Sequence, residues 1–365
     1  MDREIISNRQ GICLVSMFII GSSIVLGASG EAKQDIWISV IVGFVLYLPM
    51  IFIYSNLTTV FPGKDLFDIM HEVFGNIAGK ILSLIFVWYF FHLGALVIRN
   101  FSEFVQIVSL IETPQFIIII FFGLLCIWIV RSGIEVLSRW SAFTLPIVLF
   151  FVLGTVILSF TRMKLINITP TLYNGIRPVF SNAFSIFSFP FAETVIFTMV
   201  FNKLKQNNKS FKVFFFGSLI GGIVILLVML RNILVLGINT ASDLFFPSYI
   251  AVRTINIGNF LQRFEIVIAV NYIFTGFVKT SICLYAASKG VARILNIKKS
   301  NQIVAPIGFL MMNFACFIYS NTMEMFEWVK VYPYYAIPFQ IILPVIILIG
   351  AKIKLRICTK GAGAM

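Results

Sequence analysis

Charge is scarce in this chain. Only 12% of its 365 residues are Asp, Glu, Lys or Arg, about half the share of an ordinary soluble domain. No hydrophilic block is long enough to fold on its own, which argues against an appended soluble domain. Histidine is nearly missing: His71 and His92 lie on different segments, so neither a metal site nor a His-based nucleophilic centre is expected. The five cysteines (Cys13, Cys126, Cys283, Cys316 and Cys358) show no metal-ligand spacing and read as small apolar fillers. There is no Gly-rich phosphate cradle, no triad pattern and no relay of carboxylates. An enzyme is therefore not expected, and no cofactor is implied. The start, MDREIISNRQ, runs straight into an apolar stretch too long for a cleaved secretory signal and without its small-residue ending.

What remains is apolar. Hydrophobic residues make up 59% and the mean hydropathy is +0.98, which define an all-α polytopic membrane protein with a single transmembrane domain over 1–365. Taking about 20 apolar residues per span, ten are expected, near 10–30, 36–58, 79–106, 114–131, 139–160, 182–201, 213–237, 263–288, 303–320 and 334–355. The net charge of +13 does not indicate nucleic acid, because Lys and Arg collect in alternate connections. They divide 18 to 8 between the two sides, with Arg231 and Lys279 inside or near spans. The richer side, marked by KLKQNNKSFK at 203–212, is expected to be cytoplasmic and to hold both termini.

The stretch 182–201, NAFSIFSFPFAETVIFTMVF, is the informative one. Its middle carries Ser185, Ser188, Pro190 and Glu193. Proline removes a backbone donor and clashes with the preceding turn. A carboxylate at membrane depth costs roughly 2.5 kcal/mol or more without a partner or cavity. Irregular backbone survives there only when packed in protein or lining water. The segment reads as a discontinuous helix beside a polar cavity; the alternative is a proline-kinked helix with Glu193 paired for structural reasons.

The first span is interrupted too, by Gly21, Ser22 and Ser23, with Gly27 one turn on. Small residues also serve close helix packing in membranes, so position matters. This interruption opens the first five spans, and Ser188-Phe189-Pro190 opens the second five. Matched breaks in two halves point to a five-plus-five inverted repeat, about 8–160 and 182–356, with a midplane site between the broken first and sixth helices. Free N–H groups at half-helix amino ends suit a carboxylate.

Elsewhere the chain is less specific. The long third span holds Trp88, Tyr89, Phe90 and His92 at mid-depth; Arg99 and Glu103, spaced i,i+4, read as a solvated pair near the outer surface or as a carboxylate facing a water path. Pro114 should begin a helix, and RSGIEVLSRW at 131–140 an amphipathic cytoplasmic connection. The connection 161–181 reads as an ordered turn near the cavity mouth, and 238–262 as an outward loop with a short surface helix. On the eighth span Asn271 and Thr275 form a polar stripe that can face the first span, while Lys279 is expected to snorkel to the interface rather than couple ions. Tyr319, Tyr332, Tyr334 and Tyr335 read mostly as an interfacial aromatic belt.

FPFAE at 189–193, ETP at 112–114, NGIRPV at 174–179 and the Gly-Ser-rich first span together resemble the endospore germination permeases. These are the B subunits of spore germinant receptors, a branch of the amino acid–polyamine–organocation transporter superfamily. The resemblance runs over essentially the whole chain. It implies a transporter-like protein of the spore inner membrane that binds a small germinant, commonly an amino acid, and signals to A and C subunits. The germinant carboxylate would lie near Gly21, Ser22 and Ser23, its side chain near Tyr89, Phe90, Phe187, Phe189, Pro190 and Phe191. Glu193 would meet an ammonium or couple binding to helix movement, with Asn271 facing the same site. The other reading of the same fold is an amino acid permease driven by a proton or sodium gradient.

Overall fold

The chain folds as helices joined by short connections in the computed structural model, which describes residues 4–26, 32–206, 209–255 and 265–362. In chain order they are α1 (Asn8–Ile20), α2 (Ser23–Leu26), α3 (Ile36–Val60), α4 (Leu66–Val108), α5 (Gln115–Ser132), α6 (Ile134–Ser159) and α7 (Arg177–Ile186). Then follow α8 (Ser210–Leu236), α9 (Ile238–Asp243), α10 (Pro247–Arg253), α11 (Ile266–Ile294), α12 (Asn301–Phe317), α13 (Thr322–Ile337) and α14 (Leu343–Ala362). Eight helical stretches among the described residues are long and apolar enough to cross a membrane, and α1 and α12 are shorter apolar helices.

Local chemistry sets several helix starts. Ser7 caps α1 in a reciprocal pair: its hydroxyl accepts from the Gln10 N–H at 3.2 Å, and Gln10 Oε1 accepts from the Ser7 N–H at 2.8 Å. Asp65 and Asp68 make the same device at α4. Gly75, at φ 81°, divides α4 into a short first arm and a long spanning one, so His71 and His92 lie on either side of a bend. That arm was not anticipated by a span starting near 79. The 131–140 stretch is not a separate connection either: α5 gives way to α6 at Gly133, whose φ of 103° only glycine adopts easily.

Helix contacts follow small residues. A Cβ on Gly217 would lie 2.6 Å from Val15, and one on Gly221 2.6 Å from Ile19, so this Gly-x-x-x-Gly face of α8 admits the backbone of α1. Further packing joins α4 to α11, α3 to α7 and α8, and α5 to α12. The connection before α7 is ordered: both Asp35 carboxylate oxygens accept from the Leu172 N–H at 3.0 Å, and Gln34 donates to the Pro170 carbonyl. Part of the 238–262 loop lies outside the described residues; in the rest α9, with no buried residue, is the expected short surface helix, while α10 packs inward through Pro247, Ser248, Ala251 and Val252.

One end of the bundle is stitched by charge. Lys64 pairs with Glu72, Lys354 donates to the Glu72 carbonyl, Arg293 pairs with Asp68 at 2.7 Å, and Lys289 with Asp65 at 2.9 Å. Lys289 also donates to the Met199 carbonyl, and the Ile6 N–H to that of Lys203. The start of α1 and the course of α14 thus share the lysine-rich end.

Candidate functional site

Both interruptions are real breaks. α1 ends at Ile20, Gly21 and Ser22 leave the helix, and α2 begins at Ser23; Gly27 lies outside the described residues. In the sixth span α7 ends at Ile186, a π turn covers Phe187–Phe191, and a 3-10 helix runs over Ala192–Met199. Phe189 is extended, at φ −124° and ψ 111°. Proline at 190 cannot donate to the ladder, and the freed groups find side chains instead. A second π turn, Pro338–Ile342, falls between α13 and α14.

Gln340 in that second turn clamps the first. Its Nε2 donates to the Ser188 carbonyl at 3.0 Å and to Tyr89 Oη at 2.9 Å, while its Oε1 accepts from Ser188 Oγ at 2.9 Å. Tyr54 donates to the Gln340 carbonyl at 2.7 Å and to that of Ala192 at 3.1 Å. Each irregular turn therefore satisfies the other's polar groups, as a membrane interior requires.

Glu193 sits one residue into the 3-10 helix and is fully buried. Lys279 of α11 donates to its Oε2 at 2.6 Å and Tyr332 of α13 to its Oε1 at 2.7 Å. The Lys279 ammonium also lies 4.6 Å from the Phe189 ring centroid and 5.1 Å from that of Phe18, within cation–π range. Lys279 is thus wholly buried and does not snorkel, correcting the sequence reading: Glu193 on the neighbouring helix supplies the counter-charge that holds it at depth. Tyr332 likewise belongs to this centre and not to an interfacial belt. Arg99 and Glu103 do pair, at 2.8 Å, but the pair is buried rather than solvated; Arg99 reaches the Ala315 and Cys316 carbonyls and Glu103 accepts from Thr322.

Two small cavities flank Phe189. One, of about 30 Å³, is lined by Ser22, Asn100, Glu193 and Tyr332 with Leu93, Val97 and Trp328. The other, of about 40 Å³, is lined by Ser23, Asn182, Ser185 and Pro190 with Ile225 and Met229. Each holds about one water. The hydroxyls of Ser22 and Ser23, the amide oxygen of Asn100 and the amide nitrogen of Asn182 are buried without a hydrogen-bond partner among the described residues. Leaving such a group unpaired costs about 1–3 kcal/mol, so four polar groups converge here unsatisfied.

The structure brings Ser22, Ser23, Phe189, Pro190 and Glu193 onto these cavities. Gly21 lies beside them: its carbonyl accepts from Thr275 Oγ1 at 3.2 Å, and a Cβ there would stand 2.7 Å from Lys279 Cδ. Asn271 is buried one turn from Thr275, its amide unpartnered among the described residues. Tyr89 stands behind the lining, 3.1 Å from Tyr332 Oη and stacked on Phe339. Three expected contacts point elsewhere: Phe191 stacks on Tyr47, Phe187 packs on Phe184, and Phe90 on Phe86. The π turn rotates alternate phenylalanines away from the cavity, a phase that helical spacing does not reveal. Asn100, Asn182, Tyr332, Gln340 and Trp328 were missed as site residues. A polar side chain inside an apolar span was the available signal for Asn100, Asn182 and Gln340.

These features define a membrane protein with a transporter-type fold. The chain is similar to the solved structure of Mhp1, a nucleobase-cation-symport-1 family transporter in a closed conformation with bromovinylhydantoin bound: TM-score 0.67, 11% identity, 95% of this chain and 78% of that one. It is similar also to MhsT in complex with L-phenylalanine, with TM-score 0.65, 13% identity, and 95% and 89% covered. Residues 5–325 match the family model described as "Spore germination protein". Relatives from Bacillus subtilis (strain 168) include Spore germination protein KB, 29% identical with both chains fully covered, and Spore germination protein A2, 24% identical with 96% of each covered. The chain belongs to the spore germination permease family.

Proposed function

We propose that this chain is the B subunit of a spore germinant receptor, sensing a small germinant in the cavities between the broken first and sixth spans. The observation that carries the reading is the convergence of Ser22, Ser23, Asn100 and Asn182, buried and unpaired, on both sides of Phe189. Neutral polar groups beside Leu93, Val97 and Trp328 suit an amino acid with an uncharged side chain. Both oxygens of Glu193 are engaged, so an incoming ammonium would compete with Lys279; coupling binding to helix movement is the role we assign to Glu193. Cavities of about one water each require the walls to part before a ligand enters. That movement strains the Gln340 clamp and carries the signal toward α14 and the A and C subunits. The lysine and arginine asymmetry supports cytoplasmic termini in a spore inner membrane, and the paired breaks support the five-plus-five repeat.

The test is binding and uptake together, in liposomes, with a panel of radiolabelled amino acids. A sensor binds one of them saturably without accumulating it. Accumulation driven by an imposed proton or sodium gradient would replace this reading with a working permease.

A further inference from the structure

The cavity at Glu193 has a neighbour outside it. The turn between α12 and α13 and the first turns of α13 border an open depression of about 450 Å³, at the end of the bundle away from the lysines. Tyr319 and Trp328 line this depression and also the cavity beside Glu193, so these two aromatic side chains form the partition between them. The other central cavity, at Ser23 and Asn182, shares no lining residue with the depression.

Half of the partition is held by packing alone. The Trp328 ring meets His92 edge-on at 5.6 Å and packs on Tyr335 at 5.5 Å, but its buried Nε1–H has no acceptor among the described residues. Leaving a buried donor unpaired costs about 1–3 kcal/mol. A rotation that brings this N–H to water in the depression removes the cost. No hydrogen bond among the described residues opposes that rotation, and the orphan donor favours it.

Tyr319 stands on the turn itself, between Phe317, where α12 ends, and Thr322, where α13 begins. One ion pair on α4 grips both sides of that turn. Arg99 donates to the carbonyls of Ala315 at 3.4 Å and Cys316 at 3.2 Å in the last turn of α12, where a cation meets the negative end of the helix. Its partner Glu103 accepts from Thr322 Oγ1 at 2.9 Å, on the first residue of α13. Both charged side chains are buried. A buried ion pair adds little stability over apolar residues of the same volume, so this one needs another reason, and holding the turn supplies it.

We propose that solutes reach the Glu193 cavity through this depression, with Tyr319 and Trp328 as the gate and the Arg99–Glu103 pair as the latch of the turn that carries Tyr319. Opening lifts the turn from α4 and rotates the Trp328 ring. Trp328 lies on α13, which runs into the Pro338–Ile342 turn bearing Gln340, so movement at the gate bears directly on the clamp. The route rests on the reading of that cavity as the germinant site, but the gate is tested without a germinant.

The experiment is thiol labelling of the full chain in dodecyl maltoside micelles with 2-aminoethyl methanethiosulfonate. Ser22→Cys places a thiol in the cavity behind the gate, and Met229→Cys places one in the cavity on the other side of Phe189. The thiolate displaces methanesulfinate and forms a mixed disulfide, read as added mass on the peptide that carries the position. Thr322→Val, added to Ser22→Cys, removes the bond to Glu103 and should speed labelling about tenfold, the worth of one hydrogen bond to a charged group. Tyr319→Ala should speed it at least as much. Neither should change the labelling of Met229→Cys. Thr322 is half-buried and valine nearly isosteric, so that variant carries the test should Tyr319→Ala unfold. Unchanged labelling of Ser22→Cys in both variants overturns the gate. Equal acceleration at Met229→Cys shows a loosened bundle and overturns it too. Acceleration by Tyr319→Ala with none by Thr322→Val strikes the latch. Labelling as expected, with no amino acid bound in the liposome panel, would uphold the gate and refute the germinant reading.

Discussion

Removing the charge of Lys279 alone should cost far more than removing it together with its partner. Nζ lies 2.6 Å from Glu193 Oε2, and both side chains are fully buried. At an effective dielectric of about 20 the attraction is roughly 6 kcal/mol. Desolvating two ions costs several kcal/mol each, so the intact pair contributes little net stability over an apolar pair of similar volume. The asymmetry appears on truncation. Lys279→Met strands Glu193 with one neutral donor, Tyr332. Glu193→Gln strands the ammonium between the Phe18 and Phe189 rings. Each single variant should lose about 3–5 kcal/mol, whereas the double variant should fall within about 1 kcal/mol of the native chain. The resulting cycle has a coupling of at least about 5 kcal/mol, read from chemical unfolding in detergent by tryptophan fluorescence. Single variants each costing less than about 1 kcal/mol, or a double variant equal to their sum, would refute the buried pair and the reason given for Lys279 remaining at depth.

Gln340→Leu keeps the volume but deletes the donor to the Ser188 carbonyl of the broken sixth span, the donor to Tyr89 Oη and the acceptor for Ser188 Oγ. It should lower stability by about 2 kcal/mol or more from unpaired buried groups, and it should uncouple ligand binding from the germination response; normal binding with a normal response would exclude the clamp from signalling. Pro190→Ala should insert normally yet shift the dose dependence of germination, because the break at Phe189 is then no longer enforced by proline. An unchanged dose dependence would remove that break from the mechanism.

The breaks at Gly21–Ser23 and at Ser188–Pro190 were legible because proline, glycine and serine act on the backbone where they stand, whatever surrounds them. Glu193 was legible for a related reason, since a carboxylate at that depth is costly in any fold. Its partner was not. Lys279 lies 86 residues from Glu193, and Tyr332 lies 139 away. A lysine inside a span has two ways to satisfy its charge, reaching the interface or meeting a buried acid, and the sequence reading took the first.

The amino-acid sequence on its own established the solvent this chain folds in, the approximate helices and the two places where the helical ladder fails. Those depend on composition and on neighbours along the chain. Which phenylalanines of 187–191 face the cavity depends on the π turn, whose phase is fixed by the clamp from Gln340, 152 residues from Ser188. The unpaired Asn100 and Asn182 entered the site for the same reason: three-dimensional packing places α4 on one side of Phe189 and α7 on the other, and no local spacing encodes that placement.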